Sequence, residues 1–130
     1  MDTSWMGQYT KKVSESIDND SKTKFNHEEV EKSCEDIIRE LNKNFEKNKL
    51  HYKALYHKEK NILEFPDNKK LYFDYLNGDS VIKFKAMNDE KCYSEFEITI
   101  NSKNNKYTYM NTNYNSLYEV INKLLEDALK

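Results

Sequence analysis

Glycine is nearly missing from this chain: Gly7 and Gly78 are the only two in 130 residues. A phosphate-cradling loop needs several glycines to bring backbone N–H groups onto an anion, so that kind of nucleotide site is excluded. Arginine is scarcer still, with Arg39 alone among 21 basic residues. Arginine is the usual bidentate reader of phosphates and guanine edges, and the formal net charge is −2, so a nucleic-acid partner is disfavoured. The two cysteines, Cys34 and Cys92, are far apart and form no paired motif. Cys34 falls on the apolar stripe of an expected helix and is read as a buried free thiol.

The three histidines, His27, His51 and His57, are equally sparse. On a strand, His51 and His57 share a face but stand about 20 Å apart, too far to hold one metal. No Cys-x-x-Cys or His-Glu-x-x-His motif is present, so neither a metal nor a cofactor is expected. Pro66-Asp67 could open a nuclease motif, but Val81-Ile82-Lys83 lacks the carboxylate two residues before the lysine; a turn between strands accounts for it better. No apolar run approaches a membrane span, and Met-Asp-Thr-Ser-Trp has no basic region followed by an apolar one. A cytoplasmic protein with no membrane partner is expected. The wealth of Lys, Asn, Ile and Tyr is what an AT-rich coding sequence supplies.

What is abundant is aromatic surface. Charged residues reach 34% and mean hydropathy is −1.03, values that suit disorder, but 13% of the residues are Phe, Trp or Tyr. Disordered chains lack that supply of large apolar side chains, so the chain should fold as one domain. The aromatics concentrate between Leu71 and Ile100, in three runs that alternate with period two, as strands do. Asn77-Gly78 separates the first two, and an Asn-Gly pair is the strongest short hairpin signal. A two-residue turn there pairs Leu76 with Asp79, Phe73 with Ile82, Leu71 with Phe84, and Tyr72 with Lys83. In the next hairpin, Phe84 opposite Phe96 puts Ile82 opposite Ile98, Lys83 opposite Glu97 and Lys85 opposite Glu95. Apolar pairing and charge pairing select the same register.

Two helices flank these strands. Asn26 with Glu29 forms a capping box, and Phe25 and Val30 occupy the staple positions. The helix is expected from His27 to about Asn48, with Val30, Cys34, Ile37, Ile38, Leu41 and Phe45 on one stripe and Glu28/Lys32 and Glu35/Arg39 as i,i+4 pairs. Ser116 with Glu119 caps a second helix, whose stripe is Leu117, Ile121, Leu124, Leu125 and Ala128. Leu50–His57 reads as a strand, with a continued helix as the alternative. Asn61–Phe65 reads as a strand that sets Phe65 opposite Leu71. Lys106–Asn111 is a further strand, with Tyr107 opposite Ile100 and Tyr109 opposite Ile98, and Asn111–Asn115 is a connection. The fold class is therefore α+β: a two-layer sandwich of a four- to six-stranded antiparallel meander with one helix from the N-terminal side and one from the C-terminus on one face. Residues 1–25 form an arm or short helix in which Trp5, Tyr9, Val13 and Ile17 recur every four positions, and 26–130 form the domain.

Function must then be sought on a surface. The outward sheet face is expected to carry Tyr72, Asp74, Val81, Lys83, Lys85, Tyr93, Glu95, Glu97 and Thr99. An antiparallel sheet can simply be wet on that side. Tyrosines among paired charges also suit a protein partner, which could be a second copy of the chain, and the expected contact residues are Tyr72, Lys83, Lys85, Tyr93 and Glu95, with Trp5 and Tyr9 on the arm. Such a module fits an inhibitor or antagonist from a phage or mobile element, or an immunity-type protein. A single-strand nucleic-acid platform built on Tyr72 and Tyr93 ranks lower, because Glu95 and Glu97 would repel a phosphate backbone. A small enzyme or ligand-binding domain would need a polar pocket lined by Tyr107, Tyr109 or the histidines. No catalytic motif supports it.

Overall fold

The computed structural model of the chain describes residues 4–10, 24–101 and 106–130. A short helix α1 covers residues 4–10, α2 covers His27–Lys47 and α3 covers Leu117–Ala128. Between α2 and α3 run seven strands: β1 (Leu55–His57), β2 (Ile62–Glu64), β3 (Lys69–Leu76), β4 (Val81–Asn88), β5 (Lys91–Asn101), β6 (Lys106–Tyr109) and β7 (Thr112–Tyr114). They form one sheet in sequence order, every pair antiparallel. The class is α+β as expected, with one strand more than the upper expectation. The arm positions Val13 and Ile17, and the loop at 102–105, lie outside the described residues.

Both long helices start where their caps dictate. Asn26 Oδ1 accepts the Glu29 N–H at 3.2 Å, and Ser116 Oγ accepts that of Glu119 at 3.2 Å. Helix α2 stops at Asn48, and Lys49 takes a left-handed φ of 59° that ends the spiral. Arg39 pairs with Asp36 at 3.1 Å, one turn back, in place of the expected Glu35. Leu50–His57 is neither a full strand nor more helix. Only its last three residues pair, because Asn42 on α2 holds Ala54 by two hydrogen bonds, side-chain amide to carbonyl at 3.0 Å and N–H to Oδ1 at 2.8 Å.

One core joins the two helices to the inward sheet face. Val30, Cys34, Ile37 and Ile38 of α2 and Val120, Ile121, Leu124 and Leu125 of α3 pack with Leu63, Leu71, Phe73, Ile82, Phe84 and Ile98. Cys34 is buried and unbridged, as the stripe required. Burial, with Glu31 and Glu35 nearby, pushes its thiol up to about 12.

The strand faces match expectation except at Tyr93, while two registers move by two residues. Leu76 pairs with Val81, Phe73 with Phe84, and Tyr72 with Lys85. The connection is four residues long because Asn77, Gly78 and Asp79 all take positive φ, and Asp79 is drawn out of the ladder. Its carbonyl accepts the Phe25 N–H at 2.7 Å, and its carboxylate meets His27 Nε2 at 3.0 Å. Likewise Leu63, not Phe65, opposes Leu71, since Phe65 N–H closes the Pro66 turn onto the Lys69 carbonyl at 2.9 Å. An even shift leaves every side chain on its face. The β4–β5 register is the expected one, as is Ile100 opposite Tyr107. The supposed connection at Asn111–Asn115 contains β7, reached through a tight turn whose two residues, Met110 and Asn111, have φ of 49° and 63°. A methionine at positive φ leaves no turn signature in the sequence.

Candidate functional site

The sheet face away from α2 and α3 is the candidate surface. Registers place its residues in rows across the strands. One row runs His57, Ile62, Tyr72, Lys85 and Glu95; the next runs Asp74, Lys83 and Glu97; a third runs Leu76, Val81 and Thr99. Leu55, Tyr72 and Leu76 are exposed on this side, at 47%, 38% and 38%. Four expected contact residues, Tyr72, Lys83, Lys85 and Glu95, therefore stand together on adjacent strands.

The charges are ordered in stripes. Lys83 and Lys85 alternate with core residues on β4, and Glu95 and Glu97 do so on β5. Lys83 Nζ reaches diagonally to Glu95 Oε2 at 3.2 Å, although its Cα partner is Glu97. Among the described residues no ion pair reaches Lys85 or Glu97. Farther along, His57 Nε2 lies 2.8 Å from Glu64 Oε2, and that hydrogen bond holds the Glu64 carboxyl below the usual carboxylate range.

Tyr93 does not belong to this surface, which corrects the sequence expectation. The ladder pairs Ala86 with Ser94 but Met87 with Cys92, so Tyr93 is the extra residue of a β-bulge. The bulge turns its ring to the helix side, where its hydroxyl donates to the Ala128 carbonyl at 2.7 Å. Lys69 Nζ donates to the next carbonyl, Leu129, at 3.3 Å. Together they satisfy carbonyls that the end of α3 leaves open, and the lysine places positive charge at the negative end of the dipole. Partial burial pushes the Tyr93 hydroxyl up, which Lys69 offsets. Its hydroxyl thus holds the end of α3, while the ring stays 44% exposed.

Trp5 and Tyr9 lie on α1 and are exposed at 57% and 63%, as is Met6 at 49%. Tyr107 and Tyr109 are packed rather than lining a polar pocket: Tyr107 stacks on Phe25 with centroids 5.8 Å apart, and the Tyr109 hydroxyl donates to Asp127 at 2.8 Å. The histidines are scattered. His27, for which no role was expected, stacks on Tyr75 with centroids 3.8 Å apart and pairs with Asp79, so it anchors the β3–β4 loop to α2. Tyr75 alternates with Phe73 and could have been placed on the inner face from sequence, but the 52-residue separation of His27 from Asp79 left no local trace. Among the described residues no group of three or more His, Cys, Asp or Glu is arranged to hold a metal ion. No described helix is long and apolar enough to cross a membrane. Compared with known proteins, the chain matches no family model, no curated protein and no solved structure.

Proposed function

We propose that the protein is a non-enzymatic binding module that docks a protein partner on the open face of its sheet. The observation that carries this reading is the face itself: seven strands wide, with α2 and α3 packed on its other side, and with Leu55, Tyr72 and Leu76 exposed among ordered charges. Aromatic and aliphatic side chains surrounded by polar ones are the composition of an interface centre and its rim. Asp74, Glu95 and Glu97 on the same face stand against a phosphate backbone, so a protein is the better partner than a nucleic acid. Occupying a surface, rather than turning over a substrate, is how an inhibitor or antagonist acts.

The test is affinity capture from the native host with Tyr72→Ala/Leu76→Ala beside the wild type. A control variant, Tyr118→Ala, removes an exposed aromatic from α3. The face variant should keep its melting temperature within a few degrees and lose the partner that wild type and control retain. Retention of that partner by all three proteins would move the docking site to α1, around Trp5 and Tyr9.

A further inference from the structure

The charge stripes say which partner fits. We propose that the open face pairs with the same face of a second copy, around a two-fold axis that runs along the strands between β4 and β5. This rests on the open face being the docking surface and adds the identity of the partner.

The geometry follows from the registers. A rotation about that axis lays β4 of one copy over β5 of the other. Lys83 then faces the second copy's Glu97, and Lys85 faces its Glu95, each contact occurring twice. An axis across the strands would instead set lysine over lysine. The charge pattern therefore selects one of the two aligned arrangements. Within one chain Lys83 already holds Glu95, and Lys85 and Glu97 have no ion pair among the described residues. In the pair each of these two gains its missing partner, and Lys83 and Glu95 become bridges between copies. The same axis brings Val81 over the Thr99 methyl and Leu76 over that of Thr108, which adds apolar contact beside the charges.

The area is sufficient but small. The four strands that this axis superposes, β3 to β6, are 8, 8, 11 and 4 residues long and about 4.8 Å apart, which gives a face of about 500 Å² per copy. About 1,000 Å² in total sits at the threshold for a specific contact and suits a weak, reversible one. A reversible dimer with a midpoint of about 1–100 μM is therefore expected. Facing sheets keep their strands within about 30° of each other, which the axis allows.

Sedimentation velocity on the full chain, from about 1 μM to about 500 μM, reads the prediction directly. Wild type should pass from monomer to dimer, and raising salt from about 50 mM to about 500 mM should weaken the dimer about tenfold. Lys83→Glu/Lys85→Glu and Glu95→Lys/Glu97→Lys should each stay monomeric, with circular dichroism showing the native fold. The fourfold variant carrying both changes swaps the stripes, keeps them complementary under the same axis, and should dimerise again. Wild type monomeric throughout the range overturns the proposal, as does unchanged dimerisation of either single-stripe variant or failure of the fold-competent fourfold variant to recover. A monomeric wild type whose Tyr72→Ala/Leu76→Ala form still loses its host partner would reject the second copy and leave the docking surface standing.

Discussion

Phe84 and Lys83 are neighbours on β4 with opposite fates. Phe84 is fully buried and meets Phe73 with ring centroids 5.1 Å apart, while Lys83 points to the open face. Phe84→Ala should cost about 3–5 kcal/mol, since a central strand cannot collapse around the void. Lys83→Ala should cost under about 1 kcal/mol, as solvent-screened ion pairs do. Urea titrations of both variants measure the contrast, and similar losses would mean the faces are assigned wrongly. Cysteine chemistry separates in the same way. Exposed Cys92 should react with a thiol reagent in the folded protein near pH 8, and Cys34, buried and with its thiol pushed up to about 12, should react only in denaturant. Two equally fast thiols under native conditions would contradict the packing of α2.

At the scale of elements, the end of α3 depends on residues distant in sequence. Tyr93→Phe removes the donor to Ala128 and keeps the ring, so a loss of about 1 kcal/mol is expected by thermal or urea unfolding. Replacing Tyr72 by Phe on the open face should change stability far less. The helix–sheet boundary also sets the alkaline limit of the fold. Burial raises the hydroxyls of Tyr56, Tyr75 and Tyr109 above the usual tyrosine value, and the bond to Asp127 raises Tyr109 further. Above about pH 10 the unfolded chain releases these protons and the folded one holds them, so stability is full below that pH and falls as pH rises through it. Tyr109→Phe should flatten part of that decline in melting temperature between about pH 9 and about pH 11. An unchanged slope would place the tyrosine outside the core.

Among the described residues the molecule is a sheet that α2 and α3 cover on one side, and its charge is balanced as well as nearly neutral. Oligonucleotides, single- or double-stranded, should bind no tighter than about 10 μM at physiological salt, with any low-salt association vanishing steeply as salt rises. Fluorescence anisotropy with labelled oligonucleotides measures this. A submicromolar, salt-resistant complex lost on Tyr72→Ala would make the face a stacking platform instead. Both edges are closed off by strands of three residues, β1 and β7, which offer little unpaired backbone for edge-to-edge growth. A partner docking on this sheet would therefore meet its side chains, not its backbone.

Much of this was legible in the chain because its causes are local. Period-two alternation set the inward and outward faces of β3, β4 and β5, and Asn26 and Ser116 marked both helix starts, since a cap acts within three residues. Lys–Glu alternation even identified the β4–β5 register, because both patterns fail together on a slip of one residue. What only the tertiary structure decided involves partners far away. Asp79 leaves the β3–β4 turn to bind Phe25 and His27, and that shifts the register by two. Tyr93 leaves the open face because the ladder gains a residue there and the end of α3 offers an acceptor. β7 arises from a turn whose first residue, Met110, carries no turn preference. A one-dimensional pattern records which side chains want water; it does not record the hydrogen-bond partner that folding brings from another element.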